Sequence, residues 1–239
     1  MKYIRKGSGP RELRQWFRTL PLNENGKPIN CRYDDDIYQD LKEKIIKALL
    51  EEQGYLCCYT GIRISEENTH IEHLKPQSIS QQDENDHDDV MYSNMLAAYP
   101  KGDCQFGAQA RGDWYELDFF IHPLDGSCET KFHFDMEGGI KPVSQTDLAA
   151  KKTIAHLKLA HPLLVDLRKQ AIDELLFPED EVLSEAKLRR IVENGYSIRD
   201  KKGRYPHFCF IIEQVARQLL HKVEQDRKRR QAIHKQKRK

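Results

Sequence analysis

The chain has 239 residues, 38% of them hydrophobic and 32% charged, with 39 Lys or Arg against 38 Asp or Glu for a formal net charge of +1. That length supports one large domain or two small ones with a real hydrophobic core, which excludes a small disulfide-stapled scaffold. No apolar run approaches the roughly 20 residues of a membrane span and the opening residues carry no apolar leader, so the expectation is a cytosolic protein with no membrane partner.

In chain order, residues 1–32 place polar turn formers around Trp16 and Phe17, including a turn over 23–28, and read as an irregular lead-in. Over 36–53 the spacing of Ile37, Leu41, Ile45 and Ala48 predicts a helix stopped by Gly54. The acids at Asp34, Asp35 and Asp36 suit capping of its free amides better than a metal cluster. Residues 56–64 predict a strand, a Thr60-Gly61 turn and a second strand, and 69–74 predict another. The segment 83–89 is too acidic to pack and reads as a solvated loop. Alternation over 119–122, 131–135 and Ile140 predicts a β-hairpin. The last third is helical from Asp147, with Pro162 opening a helix whose stripe is Leu164, Leu167, Ala171 and Leu175. Ser184 and Gly195 bracket a further helix, and the one starting near Phe208 runs into a basic tail.

That tail, residues 219–239, carries nine Lys or Arg against two acids, a net of +7 that leaves about −6 for the rest. A basic tail on an acidic body is an electrostatic grip for nucleic acid, or a solvated terminus, or a contact for an acidic partner. Six cysteines without a dense framework fit a reducing compartment.

The segment His70-Ile71-Glu72-His73-Leu74-Lys75-Pro76-Gln77-Ser78, followed by Tyr92-Ser93-Asn94-Met95-Leu96, carries the chemistry. An anionic phosphodiester repels hydroxide, so its hydrolysis calls for a cation to offset charge and a base to activate water. Glu72 offers the hard oxygen that Mg2+ prefers. His73 titrates near neutrality and suits the base, with Asn94 expected to fix its tautomer. Residues 72 and 73 of a flat strand point to opposite faces, so a bend near Pro76 is expected to let them converge. Arg111 is a candidate phosphate fork and Lys75 a second substrate-binding cation.

At these residues the chain resembles the HNH, or ββα-metal, endonucleases, whose pattern is an acid beside His at the end of a strand, then Asn, then a polar residue on a short helix. The resemblance implies His73 as general base, Glu72 as ligand of Mg2+ or Mn2+, and a third ligand at Asp103 by ungapped count or at Asp113 by matching Arg111-Gly112-Asp113. Most of the chain resembles the PtuB-like HNH proteins of Septu and retron-associated anti-phage systems. The similarity rests on Met1-Lys2-Tyr3-Ile4-Arg5-Lys6, Glu52-Gln53-Gly54-Tyr55-Leu56-Cys57-Cys58-Tyr59, Phe132-His133-Phe134 and Gly138-Gly139-Ile140-Lys141-Pro142.

The implied fold is α+β: an N-terminal lead-in and helix over 1–54, a small HNH nuclease core with a hairpin extension over 55–145, and a mostly helical region with the basic tail over 146–239. The implied partners are a PtuA-like ABC-type ATPase, a nucleic acid substrate (DNA, or RNA such as tRNA), and a retron reverse transcriptase with its noncoding RNA or msDNA. Where many relatives carry Cys-x-x-Cys, this chain has Cys57 and Thr60, and no second such pair exists, which argues against structural zinc. The alternative is a decayed nucleic-acid-binding or adaptor module.

Overall fold

The computed structural model describes residues 1–22, 24, 31–83 and 86–236, and shows an α+β chain with two small antiparallel sheets. Asn23 and residues 25–28 of the expected turn, residues 84–85 of the acidic segment and residues 237–239 of the tail lie outside the described residues.

α1 spans Arg11–Phe17, and the helix expected over 36–53 is one helix that begins at Gln39, three residues later than expected. α2 is Tyr33–Asp36 and α3 is Gln39–Gln53, with Ile37 and Tyr38 extended between them. Asp36 turns back so that its carboxylate accepts the N–H of Arg32, the residue that precedes α2, at 2.6 Å, which ties the two ends of this single turn together. On α3 the buried stripe is Leu41, Ile45 and Leu49, one helical turn apart, rather than one ending at Ala48. Gly54 closes α3 in the left-handed region, with φ 60° and ψ 33°.

The ring of Tyr205 lies where a Gly54 Cβ would sit, while the Tyr205 N–H donates to the Gly54 carbonyl at 2.9 Å. Gly54→Ala therefore combines a positive φ with overpacking and should cost about 2–4 kcal/mol, read as a lower urea midpoint. An unchanged midpoint would show that the Tyr205 segment simply moves aside.

The strand-turn-strand expected over 56–64 is a tight loop instead. It is held by an isolated bridge between Leu56 and Arg63 and by Cys57 N–H donating to the Ile62 carbonyl at 2.8 Å. The first sheet pairs β1, His70–His73, with β2, Met95–Ala98, in the register His70 to Ala98 and His73 to Met95. Every residue of β2 is buried, since its backbone is sandwiched between β1 and the 53–58 segment. Gln53 supplies the polar link, donating to the Ala97 carbonyl at 2.9 Å and accepting from its N–H at 2.7 Å. This link fixes the sheet to the C-terminal end of α3. One-turn helices α4, Gln77–Ser80, and α5, Ala108–Arg111, follow the two strands.

The second sheet is β3, Phe132–Phe134, with β4, Ile140–Pro142, while 119–122 stays irregular. Its turn docks on α7, Pro162–Leu176, and a Gly138 Cβ would meet the α7 backbone at Val165 and Lys169. The buried face of α7 is Leu164, Arg168, Ile172 and Leu176, one position along from the expected stripe after Leu164. Arg168 belongs to that face because its guanidinium donates to the Leu159 and Gly138 carbonyls at 2.8 and 3.3 Å. Burial lowers its pKa to about 9.

α6, Leu148–His156, starts at Asp147, whose carboxylate accepts the Ala150 N–H at 2.9 Å. α8, Glu185–Asn194, packs on α9, Cys209–Gln236, which continues into the basic tail. A contiguous apolar cluster runs from the lead-in through both sheets to Leu220. Arg227 of the tail pairs with Glu185 at 2.8 Å, whereas Lys228, Arg229 and Arg230 are exposed.

His207 fastens the start of α9 to the 56–64 loop by accepting the Arg63 N–H through Nδ1 at 2.9 Å. Burial and the Arg63 charge lower its pKa from 6.5 to about 4. The folded state thus holds His207 neutral where the unfolded chain protonates it. Its contribution is complete above pH 6.5 and is lost as pH falls through about 4. With partial exposure this amounts to on the order of 1–2 kcal/mol. His207→Gln keeps an acceptor without a titration, and its urea midpoint should fall less than the parent's between pH 7 and 4.5. Parallel curves would remove His207 from the acid sensitivity.

Candidate functional site

β1 ends in an open cleft of about 470 Å³ whose lining includes Asp34, His70, Glu72, His73, Gln77 and Asp113. The strand stays regular through His73, and the Glu72 and His73 side chains have different hydrogen-bond partners. The strand ends at His73 and the chain bends at Leu74 and Lys75, as expected ahead of Pro76, and both Glu72 and His73 line the cleft.

Glu72 is buried and its two oxygens differ. Oε1 accepts from Tyr59 at 3.1 Å and from Arg111 Nη2 at 2.6 Å. Oε2 accepts no hydrogen bond and faces His70 Nε2 at 3.8 Å. Burial would raise the carboxyl pKa, but His70, Arg111 and Tyr59 outweigh it and hold the pKa below the usual range. The Tyr59 hydroxyl, pushed far up by burial beside that carboxylate, stays protonated as a donor.

His73 is buried with its ring edge-on to Tyr33, centroids 4.6 Å apart. Its Nε2 lies 2.8 Å from the Asp89 carbonyl oxygen, which can only accept, so the proton sits on Nε2 and Nδ1 is the free basic nitrogen. Burial lowers the imidazole pKa, which keeps the ring neutral and able to take a proton at pH 7. Asp89 is itself fixed, with Oδ2 accepting the Tyr33 N–H at 3.0 Å and Oδ1 3.5 Å from Arg32.

Asn94 does not touch the His73 ring, contrary to the expectation that it sets the tautomer. Its Oδ1 accepts the Lys75 N–H at 2.7 Å, and its Nδ2 donates to the Lys75 and Asp88 carbonyls at 3.0 Å each. The carboxamide therefore staples the chain after β1 to the segment bearing Asp89. It positions His73 at one remove.

Arg111 also differs from the open phosphate fork. Nη1 donates to the Leu74 and Trp114 carbonyls at 2.8 and 3.3 Å, and Nη2 to the His73 carbonyl at 2.7 Å as well as to Glu72. All four terminal N–H groups are thus spent inside the protein, because the strand end exposes carbonyls that β2 does not pair. Lys75 is engaged too, by Asp86 and by Asp88 at 3.2 Å. Asp113 is exposed on the cleft, whereas Asp103 lines a separate depression with Tyr99, Cys104 and Leu163.

Three participants were missed in the sequence: Tyr59, Asp89 and His70. His70 was legible, since residues two apart in a strand share a face. Asp89 acts through its backbone, which no side-chain pattern announces.

Among the described residues no group of three or more His, Cys, Asp or Glu side chains is gathered to enclose a metal ion. The donors present, a free carboxylate oxygen with an imidazole nitrogen opposite and a carboxylate on the rim, fit an ion that keeps several waters, as Mg2+ does. A scan against models of known protein families and a search of curated proteins each returned no match.

Proposed function

We propose that the protein is a metal-dependent endonuclease of the HNH type that hydrolyses phosphodiester bonds. The observation that supports this most is the tautomer of His73: a neutral, buried imidazole anchored through Nε2 to a backbone carbonyl, with Nδ1 left as the basic nitrogen and an ionised Glu72 lining the same open cleft. The order β1, β2, then the one-turn α5 that delivers Arg111, supports a ββα-metal core.

In this reading Nδ1 of His73 takes a proton from water as the water oxygen attacks phosphorus, the P–O bond to the leaving oxygen breaks, solvent water protonates that oxygen, and the Asp89 carbonyl stabilises the imidazolium that forms. Glu72, with Asp113 as the candidate third ligand that lines the same cleft, would hold Mg2+ or Mn2+, and the bound ion would offset charge on the phosphate oxygens. Asn94 keeps the His73 and Asp89 segments in register. Arg111 neutralises and aims the Glu72 carboxylate. The exposed Lys228, Arg229 and Arg230 give the polyanion a sequence-independent contact.

The resemblance to PtuB-like proteins supports reading this activity as that of an anti-phage effector acting with a PtuA-like ABC-type ATPase and with a retron. One observation favours a second reading as a catalytically silent nucleic-acid-binding or adaptor module: Arg111 already supplies Glu72 with a positive partner at 2.6 Å.

The test is incubation of the protein, alone and with a PtuA-like ATPase, with plasmid, single-stranded DNA and total RNA in Mg2+ or Mn2+. Cleavage that EDTA abolishes is expected. Binding without cleavage under every condition would leave the adaptor reading.

A further inference from the structure

His70 stands two residues before Glu72 in β1, so both side chains leave the same face of the strand. Its Nδ1 lies 2.5 Å from the Pro100 carbonyl oxygen. That oxygen can only accept, so Nδ1 carries the proton, and in the neutral ring Nε2 presents a lone pair. Nε2 looks across 3.8 Å at Glu72 Oε2, a gap too wide for a hydrogen bond, and neither atom has another hydrogen-bond partner. Nε2 and Oε2 thus face each other at the wall of the cleft with room for a proton or an ion between them, while Tyr59 and Arg111 occupy only the other oxygen of Glu72.

A divalent ion can take the place of that proton, because both atoms are metal donors and converge on one gap. A histidine whose far nitrogen donates to a backbone carbonyl is oriented as metal-binding histidines are. The 3.8 Å separation lies within the reach of two donors that each sit about 2.1 Å from one ion. We propose that His70 Nε2 is a protein ligand, together with Glu72 Oε2, for a divalent ion in this cleft, and that its nitrogen gives the site a preference for Mn2+ or Co2+ over Mg2+.

The physical basis of the preference is that imidazole binds first-row transition ions well, whereas Mg2+ is a hard ion that takes oxygen. The proposal rests on the nuclease reading for the presence of an ion at Glu72. It goes beyond that reading in naming the second ligand and the class of ion.

The experiment uses the full chain, titrated with Mn2+, Co2+ and Mg2+ by calorimetry, in the parent protein, His70→Asn and Glu72→Gln. Asparagine retains an N–H for the Pro100 carbonyl and removes the nitrogen that faces Glu72. The parent should bind Mn2+ at least tenfold more tightly than Mg2+. His70→Asn should lose about ten- to a hundredfold in Mn2+ and Co2+ affinity with Mg2+ affinity unchanged within error.

A second readout is the histidine-nitrogen coupling on bound Mn2+ in electron spin-echo spectra, which should vanish in His70→Asn and persist in His73→Asn. Absence of that coupling from the parent would overturn the proposal whether or not the variant folds. If His70→Asn binds as the parent does while Glu72→Gln does not, the His70 proposal fails and the nuclease reading survives. Failure of the parent to bind any of the three ions at millimolar concentration would end both.

Discussion

His73→Ala should reduce metal-dependent phosphodiester cleavage by about 10²–10⁴-fold, the range expected for removal of a positioned general base. The loss should fall on kcat, because the Nδ1 lone pair acts on water during bond formation and does not hold the nucleic acid. His73 is buried against Tyr33, so the truncation also opens a small void. His73→Gln, closer in volume, and thermal unfolding of both variants separate a damaged fold from a missing base. Added imidazole should restore part of the rate of His73→Ala and none of the rate of Glu72→Gln. Full activity in His73→Ala would remove His73 from the chemistry and leave the proton acceptor to be sought elsewhere in the cleft.

Arg111→Met should cost about 3–5 kcal/mol of stability, the loss seen when one partner of a buried ion pair is removed. Two consequences add up. Glu72 would keep only the Tyr59 hydroxyl and the distant His70 ring, and its carboxyl pKa would rise toward protonation. The carbonyls of His73 and Leu74, to which the guanidinium donates, would be left unpaired at the strand end. Lysine should rescue little, because three donors on a flexible stem cannot reproduce a planar fork that serves four acceptors. Urea unfolding measures this directly, and a change under about 1 kcal/mol would mean that water replaces the clamp at little cost. Cleavage should fall in parallel, through a misplaced Glu72 rather than through weaker substrate binding. A rise in KM alone would instead restore Arg111 as a phosphate contact.

These expectations show how far side-chain identity and backbone geometry each reach. The strand carrying Glu72 and His73 was legible because apolar alternation, Pro76 and the downstream Asn94 are local features. So were Gly54 as the stop of α3, Asp147 as the start of α6 and Pro162 as the opening of α7, each of which satisfies or removes an end-of-helix backbone group. The break at Ile37 was not legible: Asp36 can continue a helix or cap one, and the choice depends on where Tyr33 and Ile37 find their buried sites.

The sequence by itself determined which residues are chemically able to act: an acid, two imidazoles, a carboxamide and a guanidinium within and after one short strand. Only the tertiary structure decided what each one does. Arg111 is turned from an anion fork into a clamp because the strand end leaves carbonyls unpaired. Asn94 is turned from a partner of the His73 ring into a staple because its carboxamide lies level with Lys75. The Asp89 carbonyl, silent in any pattern of side chains, sets the proton on His73. A side chain's repertoire is covalent and local, whereas the partner it meets is fixed by packing between segments far apart in the chain, and hydrogen-bond roles follow from that meeting.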